Sequence, residues 1–197
     1  DRLEYTLSGG LYQVKVFDLK DIKKYYNNIT ILKNEDNIDE LAFKDIEICE
    51  SFIYDISNLW PRWIEDEDRL CMQFIADIIK SMNIKNYITV DDLYNLTEPD
   101  VLKLIRNCKD NYIKNAFENF ENATRNSIYK GDLPNNKIYC TSVKGKKRYI
   151  NPLVYNNNKV TRISDVSSIA NNDINNFLNI KLHDFIGFNF DFKPYIN

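Results

Sequence analysis

Apolar side chains recur at near-helical spacing through the middle of this sequence, and that period limits the folds open to it more than any motif does. A stripe repeating every ~3.6 residues buries one face of a helix against another element, so the chain must pack helices together. Over residues 44–60 the stripe is Ile46, Cys49, Phe52, Ile53, Ile56, Leu59 and Trp60. Pro61 breaks the pattern and suits the first turn of a following helix, where its missing N–H leaves no bond unmade. That helix is expected over 62–82, with Cys71, Phe74, Ile75, Ile78, Ile79 and Met82 on one face and Glu65, Asp66, Glu67 and Asp68 crowding its start. Carboxylates there complement the helix dipole, so a solvated first turn is preferred over a cation site for the acidic run.

Thr89 with Asp92, and Thr97 with Asp100, have the spacing of capping boxes and predict two short helices, the second turning Val101, Leu102 and Ile105 inward. A longer helix is expected over 110–129, using Ile113, Ala116, Phe117, Phe120, Ala123 and Ile128. Two places read as β-hairpins instead. In one, residues 29–32 and 38–43 flank a polar turn; in the other, 137–143 and 149–155 flank Lys144-Gly145-Lys146-Lys147-Arg148, with Pro152 favouring an edge position. Turn residues cluster over 131–136, which reads as a linker. The expected fold is therefore mainly α, a helical bundle over 1–130 with an inserted hairpin. A small α+β unit over 131–197 follows, holding the second hairpin, a helix near 165–179 that buries Val166, Ile169, Ile174, Phe177 and Leu178, and a last strand near 185–192.

Composition narrows the function classes. A chain of 197 residues, 44% hydrophobic, sustains one sizeable core or a core with a small appended unit, and no apolar run reaches membrane-spanning length. Net charge is −3, which provides no general footprint for nucleic acid. Cys49, Cys71, Cys108 and Cys140 lie far apart without a CxxC pair, as expected of reduced thiols in a cytoplasmic protein. The chain opens on Asp1-Arg2-Leu3 with no initiator Met and reads as a piece of something longer.

Few residues advertise chemistry. His183 is the one histidine, and no GxSxG, P-loop or GxGxxG pattern accompanies it, so a surface or strand-edge position is expected. Lys144, Lys146, Lys147 and Arg148, with Tyr139 and Tyr149 on the flanking strands, form the basic cluster; a solvated hairpin tip is the first reading and a contact for a phosphate-bearing effector the second. In Asp1-Arg2-Leu3-Glu4-Tyr5, a helix would place the Asp1 carboxylate and the Tyr5 phenol on one face.

That segment resembles the Asp-x-x-Asp/Glu-Tyr stretch closing the HD domain of deoxynucleotide triphosphohydrolase-like proteins. The likeness continues in order to about Lys130, through Asp91-Asp92-Leu93, Leu96-Thr97-Glu98 and Arg125-Asn126-Ser127-Ile128-Tyr129-Lys130. The resemblance implies an HD-like helical domain in which Asp1 is the last metal ligand and Tyr5 lies near substrate. It also implies a divalent metal (Mg, Mn, Fe, Co or Ni) held in the intact parent by histidine and His-Asp ligands upstream, and not firmly retained by this chain alone. The implied activity is hydrolysis of a nucleotide or other phosphate ester. Ser8 and Gly9 stand where the triphosphohydrolase subgroup has an Arg-Asp pair, a departure that weighs against dNTP hydrolysis. The competing expectation is a non-catalytic helical module for nucleotide sensing or protein interaction, with self-association left open. DNA binding is disfavoured, because Glu98-Pro99-Asp100-Val101 is acidic where a recognition helix would meet phosphates.

Overall fold

The fold is given by a computed structural model that describes residues 2–157 and 159–195, with Arg2 through its backbone alone. The chain divides into two units, each assembled from two separate stretches: Asp1–Ile64 with Lys146–Lys181, and Glu65–Gly145 with Leu182–Asn197. This differs from a division near residue 130.

The first unit begins with α1 (Arg2–Ser8), a π-helical turn (Gly9–Val14) and α2 (Leu19–Asn28). Asp18 caps α2 by accepting from the backbone N–H groups of Lys20 and Asp21. A Cβ on Gly10 would lie 2.0 Å from the buried Phe17 ring, so a larger residue there would have to displace that ring. The hairpin of β1 (Ile29–Lys33) and β2 (Asp39–Phe43) forms as the sequence predicts, antiparallel with Ile31 opposite Leu41. Next come α3 (Ile46–Ser57) and a 3-10 turn (Trp60–Trp63), so Pro61 sits in that turn and not at the head of the next long helix. After the other unit's stretch the chain returns with β5 (Leu153–Asn156), β6 (Lys159–Arg162), α8 (Ile163–Val166) and α9 (Ser168–Leu178). The sheet order is β1-β2-β5-β6, with β2 and β5 parallel. Phe52 of α3 packs its ring on Phe43 and Tyr25, while Trp60 meets Phe177 of α9. On α9, Ala170 joins Ile174 and Phe177 in the core and Ile169 faces outward, the reverse of its predicted place.

The second unit is built on α4 (Asp66–Ile84), whose apolar face carries Leu70, Phe74, Ile78 and Met82. Both threonine capping boxes form, starting α5 (Val90–Asn95) and α6 (Glu98–Arg106). Helix α7 runs only Asn111–Glu121; beyond it a 3-10 turn (Arg125–Ser127) leads into β3 (Ile128–Gly131). The predicted continuation of α7 to residue 129 fails because Ile128–Gly131 finds a strand partner in β7 (Phe185–Phe188). The opposite edge of β7 pairs with β4 (Tyr139–Thr141), giving an antiparallel sheet β3-β7-β4. Phe74 is the hub of this core, its ring packed against those of Phe120, Tyr139, Phe188, Phe190 and Phe192.

Two further expectations are corrected by this topology. The second hairpin does not exist: β4 and β5 belong to different sheets, and the hairpin that does form joins β5 to β6. Nor is 131–136 a linker between domains, because the strands on either side of it pair with the same β7. The 131–197 α+β unit consequently dissolves into contributions to two sheets.

Candidate functional site

The first turn of α4 carries the densest polar arrangement of the second unit. Asp66 is only 8% exposed and Arg69, one turn on, only 6%. Arg69 Nη2 donates to Asp66 Oδ1 and, at 3.3 Å, to the His183 carbonyl; Nη1 donates to the Val143 carbonyl. The His183 imidazole comes from a residue 117 positions away, and its Nδ1 lies 2.6 Å from Asp66 Oδ2. An ionised carboxylate only accepts, so Nδ1 carries the hydrogen and Nε2 is left on a ring that is 45% exposed. Lys130 of β3 completes the cluster, donating to Glu67 Oε1 at 2.9 Å and standing 3.9 Å from Asp66 Oδ2.

Burial by itself would raise the Asp66 carboxyl, but hydrogen bonds from His183 and Arg69 outweigh it and hold the group below its usual carboxylate range. The bond from Lys130 does the same for Glu67. Asp68 goes the other way, raised by burial and by the Glu65 charge. The solvated first turn expected of the acidic run is therefore corrected: Asp66 is the buried anchor of an ionic cluster, and His183 is bonded to it. Chemically the arrangement orients the imidazole ring through Nδ1, and it ties Leu182–His183 and Val143 to the start of α4. Among the described residues, no group of three or more His, Cys, Asp and Glu side chains stands close enough to cage a cation.

The sequence-predicted site residues are dispersed. Asp1, the expected metal ligand, lies outside the described residues. Tyr5 is on α1, 57% exposed, with its ring centroid 5.0 Å from that of Trp63. The basic run does not cap a hairpin; residues 142–152 have no regular structure. Lys144, Lys146 and Arg148 are exposed, whereas Lys147 is half-buried and donates to the Leu178 and Ile180 carbonyls at the end of α9. Tyr139 is buried and donates to Asp77 Oδ2 at 2.8 Å, so it is a core residue with its phenol pKa raised by burial and cannot stack a base.

Two concavities were not anticipated. In the first unit a cavity of about 690 Å³ lies between β2 and the 149–152 segment, with Leu3 of α1 on its wall. In the second, a groove of about 570 Å³ is lined by Ile75, Ile79, Leu93, Val101 and Phe120, with the Arg106–Glu121 ion pair at its rim. The four cysteines are unpaired thiols, and burial pushes Cys49 up to about 12. No helix among the described residues is long and apolar enough to cross a membrane. Comparison with family models, curated proteins and solved structures returns no match for this chain.

Proposed function

We propose that this chain is the part of an HD-type metal-dependent phosphohydrolase that follows the metal-binding core, acting in the cytoplasm on a nucleotide or other phosphate ester. Asp1 supplies one ligand and Tyr5 lines the substrate side. The remaining ligands, a histidine and a His-Asp pair, belong to the preceding part of the same domain. The reading is supported by the Asp1–Tyr5 segment and by one observation: from Arg2 on, this segment is helical, and Tyr5 stands out from α1 against Trp63, available to an adjoining surface.

Among the described residues no group of side chains fits a catalytic cation. One carboxylate does not fix a divalent metal in an open geometry, which takes about three protein ligands. When held by a full ligand set, such a metal activates water against a phosphoryl group. The chain alone is expected to show no metal-dependent phosphatase activity above background. The deciding experiment measures metal content and turnover over a nucleotide and phosphomonoester panel on the parent protein. Loss of both in Asp1→Ala supports the reading; a parent that is metal-free and inactive overturns it.

A second reading, a non-catalytic module that self-associates, is favoured by the apolar groove of the second unit, because partly exposed Ile, Leu, Val and Phe side chains gathered in a trough suit an amphipathic helix. It expects sedimentation to show an oligomer that Leu93→Asp dissociates. A chain that stays monomeric at every concentration excludes it.

A further inference from the structure

We propose that the cavity between β2 and the 149–152 segment binds a small organic cation, an ammonium group carried on an apolar or aromatic body. This site is separate from the phosphohydrolase reading and does not depend on it.

The cavity exists because two strands part. Strands β2 and β5 pair only at Ala42↔Leu153 and Phe43↔Val154. On the N-terminal side of those pairs, Asp39–Leu41 forms one wall and residues 149–152 the other, leaving about 690 Å³, within the range of ordinary small-molecule sites. Ile29, Phe43 and Phe52 provide an apolar lining, and Tyr149 adds a partly exposed ring.

Charge selects the occupant. Arg162 lines the cavity, yet each of its five N–H donors already has an acceptor. Nε and Nη2 go to the two oxygens of Glu35, Nη1 and Nη2 to those of Glu40, and Nη1 also to the Asn151 carbonyl. The guanidinium thus has no donor left for an incoming anion. Two carboxylates around one guanidinium leave a net charge of −1, while Asp39 is neutralised by Lys33 at 2.8 Å. Both glutamates stay ionised through neutral pH: bonding from Arg162 lowers Glu40 and pushes Glu35 down to about 2. The side chain of Asn151 is engaged by Ser164. What the wall offers a ligand is therefore apolar surface and the partly exposed Tyr149 ring, with the Glu35–Arg162–Glu40 cluster adding an excess negative charge at its edge.

The test is a titration of the isotope-labelled full chain, followed by its backbone amide NMR spectrum, with phenethylamine, phenethyl alcohol and phenylpropionate as cationic, neutral and anionic probes of one shape. The amine is expected to give saturable shifts centred on Leu41, Phe43 and Ile150, the alcohol to bind about tenfold more weakly, and the anion to give none. Glu40→Gln should reduce the amine to the affinity of the alcohol. Leu41→Lys, at an exposed position outside the Arg162 network, should abolish amine binding while the spectrum stays dispersed and folded. Equal affinity for amine and alcohol, preference for the anion, shifts centred on other residues, or no saturable shift with any probe would each overturn the proposal.

Discussion

Each unit holds an arginine that is paired with carboxylate and binds distant parts of the chain, and the two arginines differ chiefly in how much water reaches them. Arg69 is almost wholly buried and joins Asp66 to backbone carbonyls 74 and 114 residues away. Arg162 is 21% exposed and reaches Glu35 and Glu40, the former itself 61% exposed. Both fasten distant stretches of chain. In the first case the low-dielectric surroundings make each unmade bond expensive; in the second, water and salt stand ready to replace what is lost. Similar ion-pair chemistry is thus structural in one unit and, in the other, chiefly shapes the charge of a cavity.

The largest expected effect comes from removing the buried cation. Arg69→Met should destabilise the second unit by about 3–5 kcal/mol, because it strands the Asp66 carboxylate beside His183 and frees two carbonyls. The matching change, Arg162→Met, should lower stability by only about 1 kcal/mol. Urea unfolding followed by amide NMR signals from each unit measures both, and equal losses would break the contrast. Between these lies Gly187→Ala. A Cβ on Gly187 would fall 2.3 Å from the Tyr139 carbonyl oxygen across the β4–β7 pair, and backbone cannot swing aside as a side-chain tip does. A loss of about 1–3 kcal/mol is expected. Gly9→Ala is its control, since the nearest atom to that Cβ is 3.5 Å away, an ordinary packing distance.

The same contrast between local and distant partners separates what the sequence makes legible from what it hides. The first hairpin, α3 to α6 and both threonine caps follow from patterns within a few residues, such as Thr89 Oγ1 and Asp92 exchanging bonds with each other's backbone. Ile128 and Tyr129 extend the helical period of α7, and only β7, more than fifty residues later, makes them a strand. Lys137–Val143 and Tyr149–Tyr155 imitate a hairpin because both alternate about a basic turn, while the true partner of the first is β7 and those of the second are β2 and β6. The candidate site was hidden for the same reason. Asp66 reads as one of four solvated acids until His183, at the far end of the chain, is folded against it. The one local clue was Arg69, which sits at i,i+3 from Asp66 on the same helical face.

The smallest effect is expected in acid, and its sign follows from the direction of each shift. Asp66 is lowered from an ordinary value of 3.8, so its contribution to stability is complete above that pH and disappears as pH falls through the lower, folded value. Asp66→Asn should therefore flatten the acid limb of the second unit's stability curve below pH 3.8. Glu35 is lowered from 4.5 to about 2, but it is an exposed group whose pairing is screened over a Debye length of about 8 Å at physiological salt. Glu35→Gln should leave the first unit's acid limb where it was at that salt and shift it only when salt is withdrawn. Acid titrations of both variants at two ionic strengths compare buried and exposed pairing directly. A salt-sensitive Asp66 limb, or a salt-insensitive Glu35 limb, would mean that burial does not divide the two arginine clusters.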